Sequence, residues 1–183
     1  EEKRMSLRED YKKAIVPALK KELGLKNTNA VPTLTKVTVS VAIAPAKHKD
    51  GKLMETAEDV LARITGQRPV KTKARISISN FKTRKGQILG LKVTIRGKRM
   101  WDFVEKLVNF TFPRVRDFRG IPKKIVDREG NLSYGFSEHL AFPEIRSDEV
   151  ERVHGLEVTV TTSAKNEERG RLLFEALGFP FQK

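Results

Sequence analysis

In the stretch Gly90-Leu91-Lys92-Val93-Thr94-Ile95-Arg96 the odd positions from 91 are apolar, and 92, 94 and 96 are polar. Such strict alternation marks a strand with one face buried and the other open. Lys92, Thr94 and Arg96 therefore share the open face. The strand lies within residues 60–101, which hold twelve basic residues and no acidic one. Apolar residues alternate through that stretch, so its charge belongs to a folded surface and not to a disordered tail. A cationic sheet face needs a large anion as partner, and nucleic acid is the first candidate.

Three other segments alternate in the same way. Val37, Val39, Val41 and Ile43 are apolar on one side of 36–43, with Lys36, Thr38 and Ser40 on the other. Leu156, Val158 and Val160 predict a strand over 156–162, with Thr159 and Thr161 outward. Over 70–79, Lys71, Lys73 and Arg75 fall on one side, and Ala74, Ile76 and Ile78 on the other. A short strand is predicted over 131–137. Helical spacing of apolar residues appears over 7–24, interrupted by Pro17, over 53–66 and over 98–110, where Phe112-Pro113 is the expected stop. A last helix is expected from an Asn166 N-cap, with Glu167 and Glu168 in its first turn. A single helical turn is expected at 147–153.

The predicted class is α+β: one domain over 1–183, residues 1–6 frayed, with helices packed on one face of an antiparallel sheet and a basic, polar face left open. The outward set is Lys36, Ser40, Lys71, Lys73, Arg75, Lys92, Thr94, Arg96, Thr159 and Thr161. No linker or repeat divides the chain.

Composition excludes several classes. Without cysteine there is no disulfide scaffold, thiol catalysis or cysteine-based zinc site. No apolar run approaches the ~20 residues of a membrane span, and no secretory signal pattern opens the sequence. His48, His139 and His154 lack metal-ligand spacing and read as surface or loop histidines. Gly86, Gly90 and Gly97 bracket a strand and do not open a helix, so no phosphate-binding loop is formed. Metal-assisted phosphoryl chemistry would need carboxylates on the basic sheet, where there are none. An enzyme is not expected, and neither is a cofactor or a metal. The open face carries Lys, Thr, Ser and Arg where common RNA-binding sheets carry aromatics, which favours folded RNA over a single strand. Phe81, in Phe81-Lys82-Thr83-Arg84-Lys85-Gly86, has two readings: stacking on a base or anchoring its loop to the core. Arg114-Val115-Arg116-Asp117-Phe118-Arg119-Gly120 reads as a loop with three arginines and an exposed aromatic.

An ordered series of short motifs resembles one family, the large-subunit ribosomal protein of the central protuberance that binds 5S rRNA, fifth in its series. The series includes Thr65-Gly66-Gln67-Arg68-Pro69, Thr72-Lys73-Ala74-Arg75, Lys92-Val93-Thr94-Ile95-Arg96-Gly97, Pro113 to Gly120, Phe142-Pro143-Glu144-Ile145 and Phe179-Pro180-Phe181. It covers nearly all of 7–183, and its length is closest to the bacterial form. The resemblance implies a noncatalytic, cytoplasmic ribosomal protein that docks 5S rRNA onto the large subunit beside 23S rRNA and neighbouring central-protuberance proteins. Lys36, Ser40, Thr65, Gln67, Arg68, Lys71, Lys92, Thr94 and Arg96 would meet 5S rRNA. Lys73, Arg75, Phe81, Lys82, Arg84 and Lys85 would reach P-site tRNA. Arg114, Arg116, Asp117, Phe118 and Arg119 would bridge to the thirteenth small-subunit protein. The sequence departs from the family at Ser40-Val41-Ala42-Ile43-Ala44, where an Asn-Met-Gly-Val-Gly pattern is common, and at Ile76, where lysine is common. A non-ribosomal RNA-binding factor or RNA chaperone with the same fold is the competing reading.

Overall fold

A computed structural model describes residues 6–43, 51–146, 148 and 153–182. Its strands are β1 (Leu34–Ala42), β2 (Val70–Lys73), β3 (Ile88–Ile95), β4 (Leu132–Phe136) and β5 (Leu156–Thr162). They form one sheet in the order β2-β3-β1-β5-β4, with β2 and β3 antiparallel. Helices α1 (Leu7–Asp10), α2 (Val16–Glu22), α3 (Gly51–Thr65), α4 (Gly97–Lys106), α5 (Phe112–Arg114) and α6 (Glu167–Ala176) complete an α+β fold. His48 and the turn expected at 147–153, save Asp148 and Val153, lie outside the described residues. The chain divides into two compact units, one made of Glu1–Val37, Arg96–Tyr134 and Thr159–Lys183, the other of Thr38–Ile95 and Gly135–Val158.

In the first unit each long helix is interrupted before a proline. The Val16 N–H donates to the Tyr11 carbonyl, five residues back, through a π turn at Tyr11–Ile15. The Phe112 N–H donates to the Leu107 carbonyl in the same way. Pro17 and Pro113 then follow directly on the π turns, at the second residue of α2 and of α5, and the backbone stays helical through both. The helix expected to stop at Phe112-Pro113 therefore runs on to Arg114. The π turn also advances the register, so the stripe expected from Leu7 to Leu19 breaks. Tyr11 and Leu19 are buried, while Ala18 is exposed. The Tyr11 ring packs 4.9 Å from Trp101, and its hydroxyl donates to the Pro32 carbonyl at 2.8 Å. Phe112, Ile121, Leu132, Val160, Leu173 and Phe174 fill the rest of this core. Asn166 caps α6 as expected, its side chain accepting from the Glu168 N–H at 2.8 Å.

In the second unit α3, with Leu53, Ala57, Val60, Leu61 and Ile64 buried, packs on β3, where Leu91, Val93 and Ile95 are buried, and Val39 and Val41 of β1 are buried too. The Arg63 guanidinium donates to the Glu144 carbonyl at 3.2 Å. β1 and β3 come so close that a Cβ on Gly90 would lie against the Val41 carbonyl oxygen. His139 and His154, expected on the surface or in loops, are stacked at 4.2 Å with an 18° tilt; His154 does lie in a loop, half-buried, whereas His139 is fully buried. The His154 N–H donates to Nδ1 of His139 at 3.2 Å, and Nε2 of both rings is buried without a partner.

Burial holds the His154 imidazole below its ordinary pKa, and the neighbouring His139 adds to this against a bond to the Gly155 carbonyl. A histidine with a depressed folded pKa takes up its proton more readily in the unfolded chain. Stability is then level above the ordinary histidine range near ~6.5 and declines as pH falls below it. Thermal denaturation between pH 7.5 and 5.5 is expected to show that decline. A His154→Phe chain, which keeps the stacked ring without its proton, should flatten it, and an unaltered slope would place the titration elsewhere.

Candidate nucleic-acid interface

On β3, Leu91, Val93 and Ile95 are buried while Lys92 is exposed and Thr94 half-buried, and Arg96, just past the strand, is exposed. On neighbouring β1, Ser40 takes the same outward parity between buried Val39 and Val41. Lys36 and Arg96 belong to the first unit, Ser40, Lys92 and Thr94 to the second.

β2 departs from the expected pattern. Residues directly opposite across an antiparallel pair share a face. Lys71 pairs with Leu91, so its side chain emerges on the helix-covered side, away from Lys92. There its ammonium meets Glu58 of α3 at 3.1 Å, and Arg68 approaches the same carboxylate at 3.6 Å. The hydrogen bond from Lys71 holds the Glu58 carboxyl below the usual range, with the Arg68 charge adding to it. A register shift between Thr72 and Lys73 then returns Lys73 to the side of Ile88, so Lys71 and Lys73 do not share a face. Thr65 is also turned inward. It is buried, its hydroxyl donates to the Leu61 carbonyl at 2.6 Å, and it accepts from the Gln67 N–H at 3.3 Å. Gln67 and Arg68 remain exposed.

Beyond Lys73 the chain leaves the sheet as an ordered hairpin. Ala74 and Gln87 are bonded across its base at 2.8 Å, and Ile78 and Thr83 pair near its tip. The Lys85 N–H donates to the Ser77 hydroxyl at 2.9 Å, and Lys82 turns the tip at φ 52°. The strand expected to reach residue 79 ends six residues earlier, because β3 begins only at Ile88 and offers no partner further out. Ile76 and Ile78, expected in the core, are exposed, and Phe81 is 68% exposed. Phe81 does not anchor its loop to the core. Arg75, Lys82, Arg84 and Lys85 share the hairpin with it, Lys73 stands at its base, and all five are exposed.

The loop at 114–120 is held from beneath. Phe118, expected to be exposed, stacks on buried Phe112 at 5.4 Å and meets the edge of Tyr134 at 6.5 Å. Asp117 turns the loop at φ 51°. Arg114, Arg116 and Arg119 lie on its outer side, exposed. Among the described residues no ion pair involves these arginines, the five hairpin cations, Lys92 or Arg96. Their charge is therefore left for a partner. No group of three metal-ligating side chains gathers among the described residues, and none of their helices is long and apolar enough to cross a membrane.

Residues 27–84 match the profile of ribosomal protein L5, and residues 88–181 match the profile of the C-terminus of that same ribosomal family. The chain belongs to the ribosomal protein L5 family. The large ribosomal subunit protein uL5 of Thermotoga maritima is 48% identical to it over 177 residues, spanning 97% of this chain and 96% of the relative. The protein of the same name from Bdellovibrio bacteriovorus is 48% identical over 173 residues, spanning 94% and 96%. That from Dictyoglomus turgidum is 46% identical over 177 residues, spanning 97% and 98%. This L5-family chain is thus of bacterial type and is a structural, non-enzymatic ribosomal protein. Its relatives are proteins of the large subunit, which in bacteria is cytoplasmic. At this site the sequence hides the pairing of Lys71 with Glu58, through the register shift, and the stacking of Phe118, because nothing local ties it to Phe112.

Proposed function

We propose that this protein binds 5S rRNA in the large ribosomal subunit and helps to dock it in the central protuberance, against 23S rRNA and neighbouring proteins. The observation that carries this is the outward parity of β3, where Lys92, with Arg96 just beyond the strand, stands exposed and without an ion pair among the described residues in a stretch free of acid. Lys36, Ser40, Gln67, Arg68 and Thr94 supply further polar contacts. Lys71 stays exposed but is drawn to Glu58, and the buried Thr65 hydroxyl is bonded inside the fold. Binding of this kind rests on phosphates, 2′-hydroxyls and shape. Titration of 5S rRNA in a gel shift tests it. Tight binding that weakens steeply with salt is expected, and equal affinity for an unrelated folded RNA of the same size would refute it.

The hairpin reaches a second RNA, P-site tRNA, and the arginine loop bridges to the small-subunit head at its thirteenth protein. A hairpin that leaves its sheet can touch a partner the sheet cannot. Its cations would meet tRNA phosphates, which every tRNA presents alike, and exposed Phe81 adds a stacking surface. Reducing residues 76–83 to a tight turn removes Phe81 and Lys82 and leaves the sheet intact. Such a chain is expected to enter the large subunit and bind 5S rRNA normally. Purified ribosomes carrying it should hold P-site tRNA about tenfold less tightly, the scale of one stacked base. Failure to assemble would make the hairpin an assembly element, and unchanged retention would exclude the tRNA contact.

A further inference from the structure

We propose that the C-terminal segment Phe179–Gln182 is a strap that holds the arginine loop in its docking shape, with Gly120 as the positioning residue through which it acts. This rests on the bridging reading of that loop. The Ile121 N–H donates to the Pro180 carbonyl at 2.7 Å, and the Gln182 N–H donates back to the Ile121 carbonyl at 2.9 Å. Ile121 and Phe181 thereby form a parallel bridge. The Gln182 side-chain amide also donates to the Gly120 carbonyl at 3.2 Å. Gly120 sits at φ 96°, where side chains are strained, and a Cβ there would meet the Gln182 backbone nitrogen at 2.9 Å. Residue 120 is thus glycine for two reasons, its backbone angle and its close approach to the strap.

The strap is itself anchored. Phe179 packs on Phe174 at 5.1 Å and on Phe112 at 6.0 Å. Phe112 is also the ring beneath Phe118. The loop is consequently fixed at Phe118 and at Gly120, with Arg119 between the two points and Arg114 and Arg116 just before them. A loop already ordered loses little backbone entropy on docking. Its arginines are presented to the partner as a preformed set.

Three variants separate the strap from the bridge: a chain ending at Pro180, Gly120→Ala, and Arg114→Ala/Arg116→Ala/Arg119→Ala. Each is assayed for amide exchange across 114–119, for 5S rRNA affinity and, in ribosomes, for subunit association at limiting Mg²⁺. Gln182→Ala keeps the backbone bonds and removes only the side-chain bond to the Gly120 carbonyl, so it should fall between the unaltered and the shortened chain. The expected result is exchange across the loop at least roughly tenfold faster in the two strap variants, unchanged 5S rRNA binding, and association reduced toward that of the triple arginine variant. If the triple variant associates poorly while both strap variants associate normally, the strap is overturned and the bridge stands. If the triple variant associates normally, the bridging reading fails, and unaltered exchange in the strap variants would overturn the strap as well. Should Gly120→Ala lose its fold, the shortened chain decides by the same measurements.

Discussion

Replacing Lys92 and Arg96 together by alanine is expected to weaken 5S rRNA binding by about 2–4 kcal/mol, roughly 30- to 1,000-fold. Each side chain would give one charged hydrogen bond to phosphate, valued at about 1–2 kcal/mol. Neither makes an ion pair among the described residues, so the loss falls on the complex and not on the fold. Arg96 is the N-cap residue of α4, but its side chain makes no capping bond. Removing it therefore leaves the helix end as it is. The slope of affinity against salt should shrink by about two phosphate equivalents. A double variant with full affinity and a native circular dichroism spectrum would move the RNA site off β3.

Gly90→Ala is expected to be the most damaging single methyl in the chain's sheet. A strand interior tolerates glycine poorly, so a buried one usually marks the close approach of another backbone. Here that backbone is β1, whose Val41 carbonyl and Ala42 Cα crowd the place a Cβ would take, the latter at 3.3 Å. No flexible side chain is available to move aside, and β1 and β3 must separate. A cost of about 3 kcal/mol or more is expected, the upper end for overpacking. That is a fall of roughly 6–12 °C in melting temperature for a chain of this size. Gly135 on β4 has nothing within 4 Å of its own Cβ position, so Gly135→Ala is the matched control and should melt near the unaltered protein. Equal melting of the two variants would mean that the sheet yields at Gly90.

The strands were readable where a packed layer lies behind them. Leu156, Val158 and Val160 alternate because α+β packing demands it, and all three are buried. Asn166 was readable for a local reason, since its cap is made within two residues. Ile76 and Ile78 alternate just as well and are exposed, because periodicity reports the face of a strand and not whether a core exists behind that face. Lys71 lies opposite the side its alternation with Lys73 predicts, because one register shift reverses parity and no residue type announces it. The histidine pair was unreadable for a different reason. Residues 139 and 154 meet only once β4 and β5 are both in place. The candidate site was legible as a composition, an acid-free stretch of cations, more clearly than as a geometry.

The order β2-β3-β1-β5-β4 has a consequence for synthesis. β3 can join β1 early, but the other edge of β1 must wait for β5, whose first residue follows Ala42 by 114 positions. At about 5–20 residues per second that wait is roughly 6–23 s. During it the nascent chain carries an unpaired strand edge rich in valine, the kind of edge that recruits foreign strands. The segment that closes the loop at Gly120 is made later still. The unpaired edge of β1 is therefore exposed throughout the synthesis of everything between Ala42 and Leu156.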